Sequence, residues 1–304
     1  MTIINLNENV LKTLDFFKAN PPPGLDLNQY KLPFVVGSGN ALNTGKIIFS
    51  QQAAIFADES NFKSVIKSYQ SVIKKNLITQ AVIISASGEK DSVWETELAK
   101  KHQLKTSLLT CNSKSSAAKI ADKIFTYRKI AEPYTYNFST YLGMILSTTK
   151  EKPTLIKKFI LQQKLPQNYG KYTSYAFLLP DKHNYICPML DVKKNELFGP
   201  HLSIRAFTFG HARHAKFVHP WQKELVISLG EKNKYFGHPQ HRWDITTPSF
   251  ANHATYMALA YYLIGKIQAS KPAYFKKNIA AFCKNYGPKA YGKKQVFEII
   301  VPGN

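Results

Sequence analysis

The sequence predicts an α/β chain of two similar three-layer αβα units, each a parallel sheet covered by helices on both faces. Three observations carry that expectation. Ala81–Gly88, AVIISASG, is a β-branched apolar run that stops at a Ser-x-Ser-Gly turn; Asp91–Lys101 follows, with Val93, Trp94 and Leu98 recurring among charged residues at helical spacing. Strand-like and helix-like stretches alternate through the first half, the order expected of parallel strands joined by covering helices. The 304 residues suffice for one large or two medium domains, at about 100–200 residues each.

In order along the chain, Asn7–Ala19 reads as a lead-in helix closed by the breaker Pro21-Pro22-Pro23-Gly24. Leu32–Val36 is a short apolar strand, Gly37–Gly45 a glycine-rich turn and Lys46–Phe56 a helix. Ser64–Lys75 reads as helix, Gln80–Ser85 as strand, Asp91–Lys101 as helix, Lys105–Thr110 as strand and Ser115–Ala121 as a short helix. Helical stretches at Tyr134–Ser147 and Pro153–Leu165 lead to a break at Pro166–Gly170. The expected division is a lead-in over residues 1–30, a first domain over 31–165 and a second over 166–304. In the second domain Ser174–Leu179, Tyr185–Pro188 and Glu224–Leu229 are strand-like, Lys193–Phe198 opens a helix and Ala251–Gln268 is a long helix; Gln295–Val301 is a last strand or an extended tail.

Bulk properties narrow the function classes. Apolar residues make up 44% and aromatics 13%, which excludes a largely disordered chain. No window of about 18 uninterrupted apolar residues suggests a membrane span, and the N-terminus lacks the pattern of a secretory signal, so a cytoplasmic protein is expected. Cys111, Cys187 and Cys283 lie far apart in no metal-type pairing, consistent with three unlinked thiols. The net charge is +22, with +7 on residues 1–150 and +15 on the rest. That field attracts anions from sugar phosphates to nucleic acid, but the lysines are dispersed and no helix-turn-helix segment stands out, so nucleic acid is expected only as non-specific electrostatic binding.

The segment AVIISASGEKDSVWETELAKKHQLKTSLLTCNSKSSAAKIADKIF resembles the core of the sugar isomerase (SIS) domain family. VVGSGNALNTG is similar to that family's upstream glycine loop, and EPYTYNFSTYLGMIL (Glu132–Leu146) to its segment carrying a Glu and a Ser-Thr pair at the lip of the site. NELFGPHLSIRAFTFGHARHAKFV resembles, more weakly, the second half of double-domain members. The resemblance implies two flavodoxin-like SIS units that bind a phosphosugar at the C-terminal ends of the strands. It assigns phosphate binding to Ser85, Ala86, Ser87 and Gly88, assisted by Ser38, Gly39 and Asn40. Lys90 and Ala41 stand where the family often has Thr and Ser; Lys90 supplies a charge in place of a hydroxyl. Glu132 is placed at the sugar-facing edge, the competing reading being a loop carboxylate that compensates Arg128 and Lys129.

Aldose–ketose isomerisation needs a base that moves a proton between C1 and C2 and a group that opens the sugar ring. The resemblance gives these roles to Glu196 and to His214 or His211, with His214-Ala215-Lys216 standing for the family's His-Gly-Pro, and allows the His to come from a neighbouring subunit. A homodimer is therefore expected, with a sugar phosphate as partner and no cofactor. The spacings His211-x-x-His214 and His238-x-x-His241 also suit a metal, yet neither has a Cys partner or an HExxH arrangement. The alternative to an isomerase is a sugar-phosphate sensor that kept the fold and lost the acid–base pair.

Overall fold

The computed structural model describes residues 3–304. Their contacts divide into two compact units: one holds Asn20–Lys129, Thr140–Lys150 and Asn304, the other the residues up to Ala19, Ile130–Ser139 and Glu151–Gly303. Helix α1 (Leu6–Ala19) belongs to the second of these.

The first unit is built on five parallel strands, β1 (Phe34–Val36), β2 (Ile55–Ala57), β3 (Gln80–Ile84), β4 (Lys105–Thr110) and β5 (Lys123–Thr126), in the order β2-β1-β3-β4-β5. Between them run α2 (Asn40–Ile48), α3 (Phe62–Ser68), α4 (Gln70–Lys74) and α5 (Asp91–Lys101). Strand side chains alternate between faces, and the packing follows. Phe34, Val36, Ala81 and Ile83 meet Phe62, Ile66 and Ala99 on one face. Val35 and Ile84 close against α2 on the other, at Gly45, where a Cβ would stand 2.6 Å from Val35 Cγ1 and 2.9 Å from Ile84 Cδ1. Gly45 is therefore a helix residue chosen for close approach, and the helix starts at Asn40, inside the stretch read as a glycine turn. The expected helix Lys46–Phe56 is wrong at its other end too: Ile55–Ala57 pairs with Phe34–Val36 as β2. Ser115–Ala121 forms turns and not a helix. Strand β5, half polar and mostly exposed, carries no alternation to reveal it.

The second unit holds the parallel strands β7 (Ser174–Leu179), β8 (Ser203–Thr208), β9 (Glu224–Leu229) and β10 (Arg242–Ile245), ordered β10-β9-β7-β8. Taken from its first strand this is the 2-1-3-4 order of the first sheet without the fifth strand, and both halves are three-layer, flavodoxin-like αβα. A two-residue antiparallel pair joins β6 (Glu132–Pro133) to β11 (Ile300–Val301), which settles the C-terminal segment as a short strand. The helices α7 (Pro153–Leu161), α8 (Cys187–Phe198), α9 (Phe209–Ala215) and α10 (His253–Ser270) belong here, while α6 (Phe138–Thr149) is divided between the units after Ser139. Tyr185–Pro188 is not a strand: a 3-10 turn, Asp181–Ile186, runs directly into α8, with Pro188 in its first turn. Helix α1 crosses α10 at Gly265, where a Cβ would stand 1.9 Å from the Asn7 backbone nitrogen. Leu6 N–H donates to Gln268 Oε1 at 2.8 Å beside that crossing. Helix α11 (Tyr274–Ala281) continues into a π turn, Phe282–Tyr286.

Candidate functional site

In the first sheet the chain leaves β1 for β2 on one side and returns to β3 on the other, so the loops after β1 and β3 flank a topological switch point, where open α/β sheets bind ligands. Those loops are Gly37–Gly39 and Ser85–Lys90, and Ser38, Gly39, Asn40, Ser85, Ala86, Ser87, Gly88 and Lys90 fall on these neighbouring turns and the helix starts beside them. Both end in one unusual backbone conformation: Gly39 has φ 56° and ψ −121°, Lys90 φ 59° and ψ −124°. The shape is natural to glycine and strained for lysine. Each residue is a helix N-cap with no side-chain cap, so the positive ends of α2 and α5 keep donors that no side chain takes. Ser85 Oγ accepts from Gly88 N–H at 3.1 Å and Ser87 Oγ from Glu89 N–H at 3.3 Å. Those bonds leave both hydroxyl protons available to donate. Gly88, at φ 65°, admits Ser115: a Cβ there would lie 2.0 Å from Ser115 Oγ. Asn40 Oδ1 is buried without a hydrogen-bond partner. Glu89 turns away to accept Ser116 N–H at 3.0 Å.

Glu132 lies in the other unit, 2% exposed, with both oxygens taken. Its Oε2 accepts from Asn9 Nδ2 (2.8 Å), Phe138 N–H (3.1 Å) and Ser139 N–H (3.3 Å), and its Oε1 from Ser139 Oγ (2.8 Å). It closes the N-terminus of α6 as an internal anion, and neither Arg128 nor Lys129 is among these partners.

Glu196 is in the last turn of α8 and lines a pocket of about 540 Å³ with Thr135, His201, Tyr274, Phe275 and Phe282. Its side chain is 23% exposed and pairs with Lys193, one helical turn earlier and only 1% exposed. The Lys193 ammonium also donates to the carbonyl of Thr135. Burial raises the Glu196 carboxyl above the usual carboxylate range, and Lys193 opposes that rise. The His201 ring stacks on Tyr274 with centroids 4.3 Å apart.

His211 and His214 are exposed on α9 and do not line this pocket. Helix α8 begins beyond the end of β7 and runs back, so Glu196 lies where the strands begin; α9 opens directly after β8, where they end. The length of β8, about 20 Å, separates Glu196 from His211 and His214 within one chain. His211 N–H donates to Thr208 Oγ1 at 3.2 Å, and Asp181 accepts from Gly210 N–H at 2.7 Å. Neither spaced His pair gains a third metal ligand among the described residues.

Of the other residues at this site, His201 falls within the cluster of six histidines between positions 201 and 241, while Thr135, Lys193 and the aromatic wall of the pocket have no role in the sequence expectations. The Lys193-x-x-Glu196 spacing on one helix face was a usable signal; the fold-back of α11 and the backbone of Thr135 left none.

No family model matches the chain, and no curated protein matches it. Solved structures do. Glucosamine-6-phosphate deaminase from Thermotoga maritima superposes with a TM-score of 0.56 at 13% identity, over 87% of this chain and 91% of that one. Tagatose-6-phosphate ketose/aldose isomerase from Escherichia coli gives 0.55 at 11%, over 87% and 90%. The C-terminal domain of glucosamine-fructose-6-phosphate aminotransferase from Francisella tularensis gives 0.54 at 12%, over 87% and 93%. The chain has their fold. Identities this low carry the fold alone.

Proposed function

We propose that this chain is a double-SIS protein that binds a sugar phosphate and interconverts its aldose and ketose forms. The observation that carries the binding half is the pair of adjacent turns at the switch point of the first sheet, each opening an uncapped helix with the same glycine-type backbone. Two helix N-termini that no side chain caps, the first turn of α2 free of acidic residues and that of α5 carrying Asp91, together with serine hydroxyls able to donate and Lys90, make a phosphate seat. The neighbouring folds are named for work on phosphorylated sugars, which agrees with the SIS resemblance.

Glu196 supports the catalytic half. A half-buried carboxylate whose pKa is raised by burial is suited to a general base. It takes the C2 proton of the open-chain aldose, the electron pair moves through the new C1–C2 double bond to O1, the O2 proton passes to O1 as the C2 carbonyl forms, and the carboxyl returns its proton to C1 of the ketose. No redox cofactor takes part. The ring-opening imidazole is His214 or His211 of a second copy, because one chain holds them at the opposite edge of its sheet; the active form in this reading is a homodimer, in the cytoplasm. A second reading, a sensor without turnover, is favoured by the Lys193–Glu196 ion pair and by Lys90 and Ala41 at positions where hydroxyls are common in the family.

A thermal-shift screen against sugar phosphates, free sugars, inorganic phosphate and a short DNA duplex at two salt concentrations tests binding, and a turnover assay on the hits tests catalysis. A salt-resistant rise with a few sugar phosphates and their isomerisation are expected, with Glu196→Gln lowering kcat at least a thousandfold while the ligand-induced rise persists. A rise without turnover selects the sensor. A rise with every polyanion that disappears in salt removes the phosphosugar reading.

A further inference from the structure

One face of the second sheet, that of Ala176, Leu178 and Val226, is thinly covered. Helix α9 has seven residues and buries only Ala212 against it; the rest of the cover is Phe207, Phe209, Phe217 and Phe236, all partly exposed. The connection from β9 to β10 lies on this face without an α-helix. Gly237, at φ +73°, seats it there: a Cβ would stand 2.3 Å from Val226 Cγ2. Asn233, itself buried, donates to the carbonyl of Phe236 and accepts from the N–H groups of Tyr235 and Phe236, at 2.8 to 3.2 Å. Arg242 donates to the carbonyls of Lys234, Phe236 and Gly237 at 2.7 to 2.9 Å. These six side-chain bonds fix the loop, yet Tyr235 at its centre is 79% exposed. The Phe236 ring sits 5.4 Å from that of Phe217, which lies 4.8 Å from the Arg205 guanidinium. Four residues beyond Phe217, Trp221 is 50% exposed. Residues 205–242 carry seven Lys and Arg against two Glu, and Arg205 holds one of those, Glu224, at 2.8 Å. Lys223, Lys232 and Lys234, each within three residues of a bare ring, are exposed.

We propose that this face binds single-stranded nucleic acid, bases stacking on Tyr235 and Trp221 while phosphates meet Lys223, Lys232 and Lys234. Isolated exposed rings are ordinary. Here a rigid loop holds one out, a second stands on the neighbouring connection, and each has cations beside it. A nucleotide of a single strand offers the matching pair, a flat base with a free face and one phosphate. A duplex keeps its base faces inside the stack, so it meets the lysines alone. An acidic protein segment would likewise use the charge and leave the rings bare. The inference goes beyond the non-specific attraction that net charge alone predicts, and it does not depend on the isomerase reading. Its residues all belong to the second unit, whereas the phosphate loops belong to the first.

The test is fluorescence anisotropy on the full chain with labelled oligo-dT and oligo-rU of about twelve nucleotides and a DNA duplex of the same length. Wild type, Tyr235→Ala, Tyr235→Phe and Lys234→Gln are compared, and flotation with phosphatidylserine-containing vesicles is run beside them. Wild type is expected to bind both single strands at least about fivefold more tightly than the duplex. Tyr235→Ala should weaken the strands about five- to thirtyfold and the duplex less than about twofold, at an unchanged melting temperature. Tyr235→Phe should bind as wild type does, because stacking needs the ring and not the hydroxyl. Lys234→Gln should weaken all three ligands and reduce the salt slope by about 1. Equal wild-type affinity for strand and duplex overturns the inference, as does a Tyr235→Ala variant that keeps strand affinity within about twofold; either leaves surface charge alone. Vesicle capture that Tyr235→Ala abolishes while strand binding persists assigns the rings to a membrane surface and overturns it too. The sugar-phosphate thermal shift should be the same in Tyr235→Ala as in wild type, so failure here leaves the isomerase reading standing.

Discussion

The two sheets run in the same strand order and differ at the one place where that order prepares a crevice. Beyond β1 and β3 the first sheet carries short turns, Gly37–Gly39 and Ser85–Lys90, made of Gly, Ser and Ala up to Glu89 and Lys90, and no side chain caps the helices they open. Beyond β7 and β9 the second sheet carries His183, fully buried, with its Nδ1 2.9 Å from that of His253 and its ring 3.9 Å from that of Tyr256. Gly230, directly after β9, leaves room for the Tyr256 hydroxyl, which a Cβ would meet at 2.1 Å. Helix α10, which supplies His253 and Tyr256, has its own anion: Glu151 accepts from the N–H groups of Asn252, Ala254 and Thr255 and from Thr255 Oγ1, at 2.6 to 3.0 Å. One crevice is left to small residues and uncapped helices, the other is filled with rings and a built-in carboxylate. Topology prepares a site twice; the side chains decide which is filled.

Acid should separate the units most. Burial lowers His183 to about 3 and His253 to about 4, from 6.5. The unfolded chain therefore takes up protons that the fold refuses, and stability declines as pH drops below 6.5, by about 4 kcal/mol for the two together at pH 5. Glu95, on α5 of the first unit, has the opposite sign: burial first, then Asp91, Glu59 and Asp58, raise it to about 8. It stays protonated in the fold while the unfolded chain ionises above 4.5, so the first unit gains about 2–3 kcal/mol between pH 7 and 5. Trp94 reports on the first unit, Trp221 and Trp243 on the second. Urea unfolding of single-tryptophan variants at the two pH values should show the transitions moving in opposite directions, and Glu95→Gln should hold the first transition still. Parallel movement would break the comparison.

Next in size is Glu151→Gln, which replaces a charged acceptor of four hydrogen bonds and is expected to cost the second unit about 2–3 kcal/mol, read as a lower urea midpoint of the Trp243 signal. Smallest is Lys90→Gly. Relief of the positive φ should stabilise the first unit by about 1 kcal/mol while weakening sugar-phosphate binding several-fold through loss of the ammonium. Unchanged affinity would reduce the phosphate seat to serines and backbone.

Much of the first unit was legible because its signals are local. The run AVII, the turn after it and the helical spacing of Val93, Trp94 and Leu98 place β3 and α5 within a residue. Strands β2 and β10 were illegible because two or three apolar residues make no period, and only the sheet identifies them. Within the candidate site, the phosphate loops follow from chain order, whereas Glu132 could be seen as a helix cap only once α6 was known to start at Phe138. The separation of Glu196 from His211 and His214 is a matter of strand direction, which residue spacing does not encode. Thr135 shows its strain in a backbone angle alone.

The crossing of α1 with α10 at Gly265 also bears on how the chain is made. Helix α1 leaves the ribosome well before its partner, which follows some 260 residues later, as the bond from Leu6 to Gln268 measures. At about 5–20 residues per second the apolar face of α1 waits roughly 13–50 s for its seat. The strands and covering helices of the first sheet lie within one uninterrupted stretch, Asn20–Lys129, and can assemble during that wait. An early helix held open while a later unit is synthesised is the segment on which a nascent-chain chaperone would act.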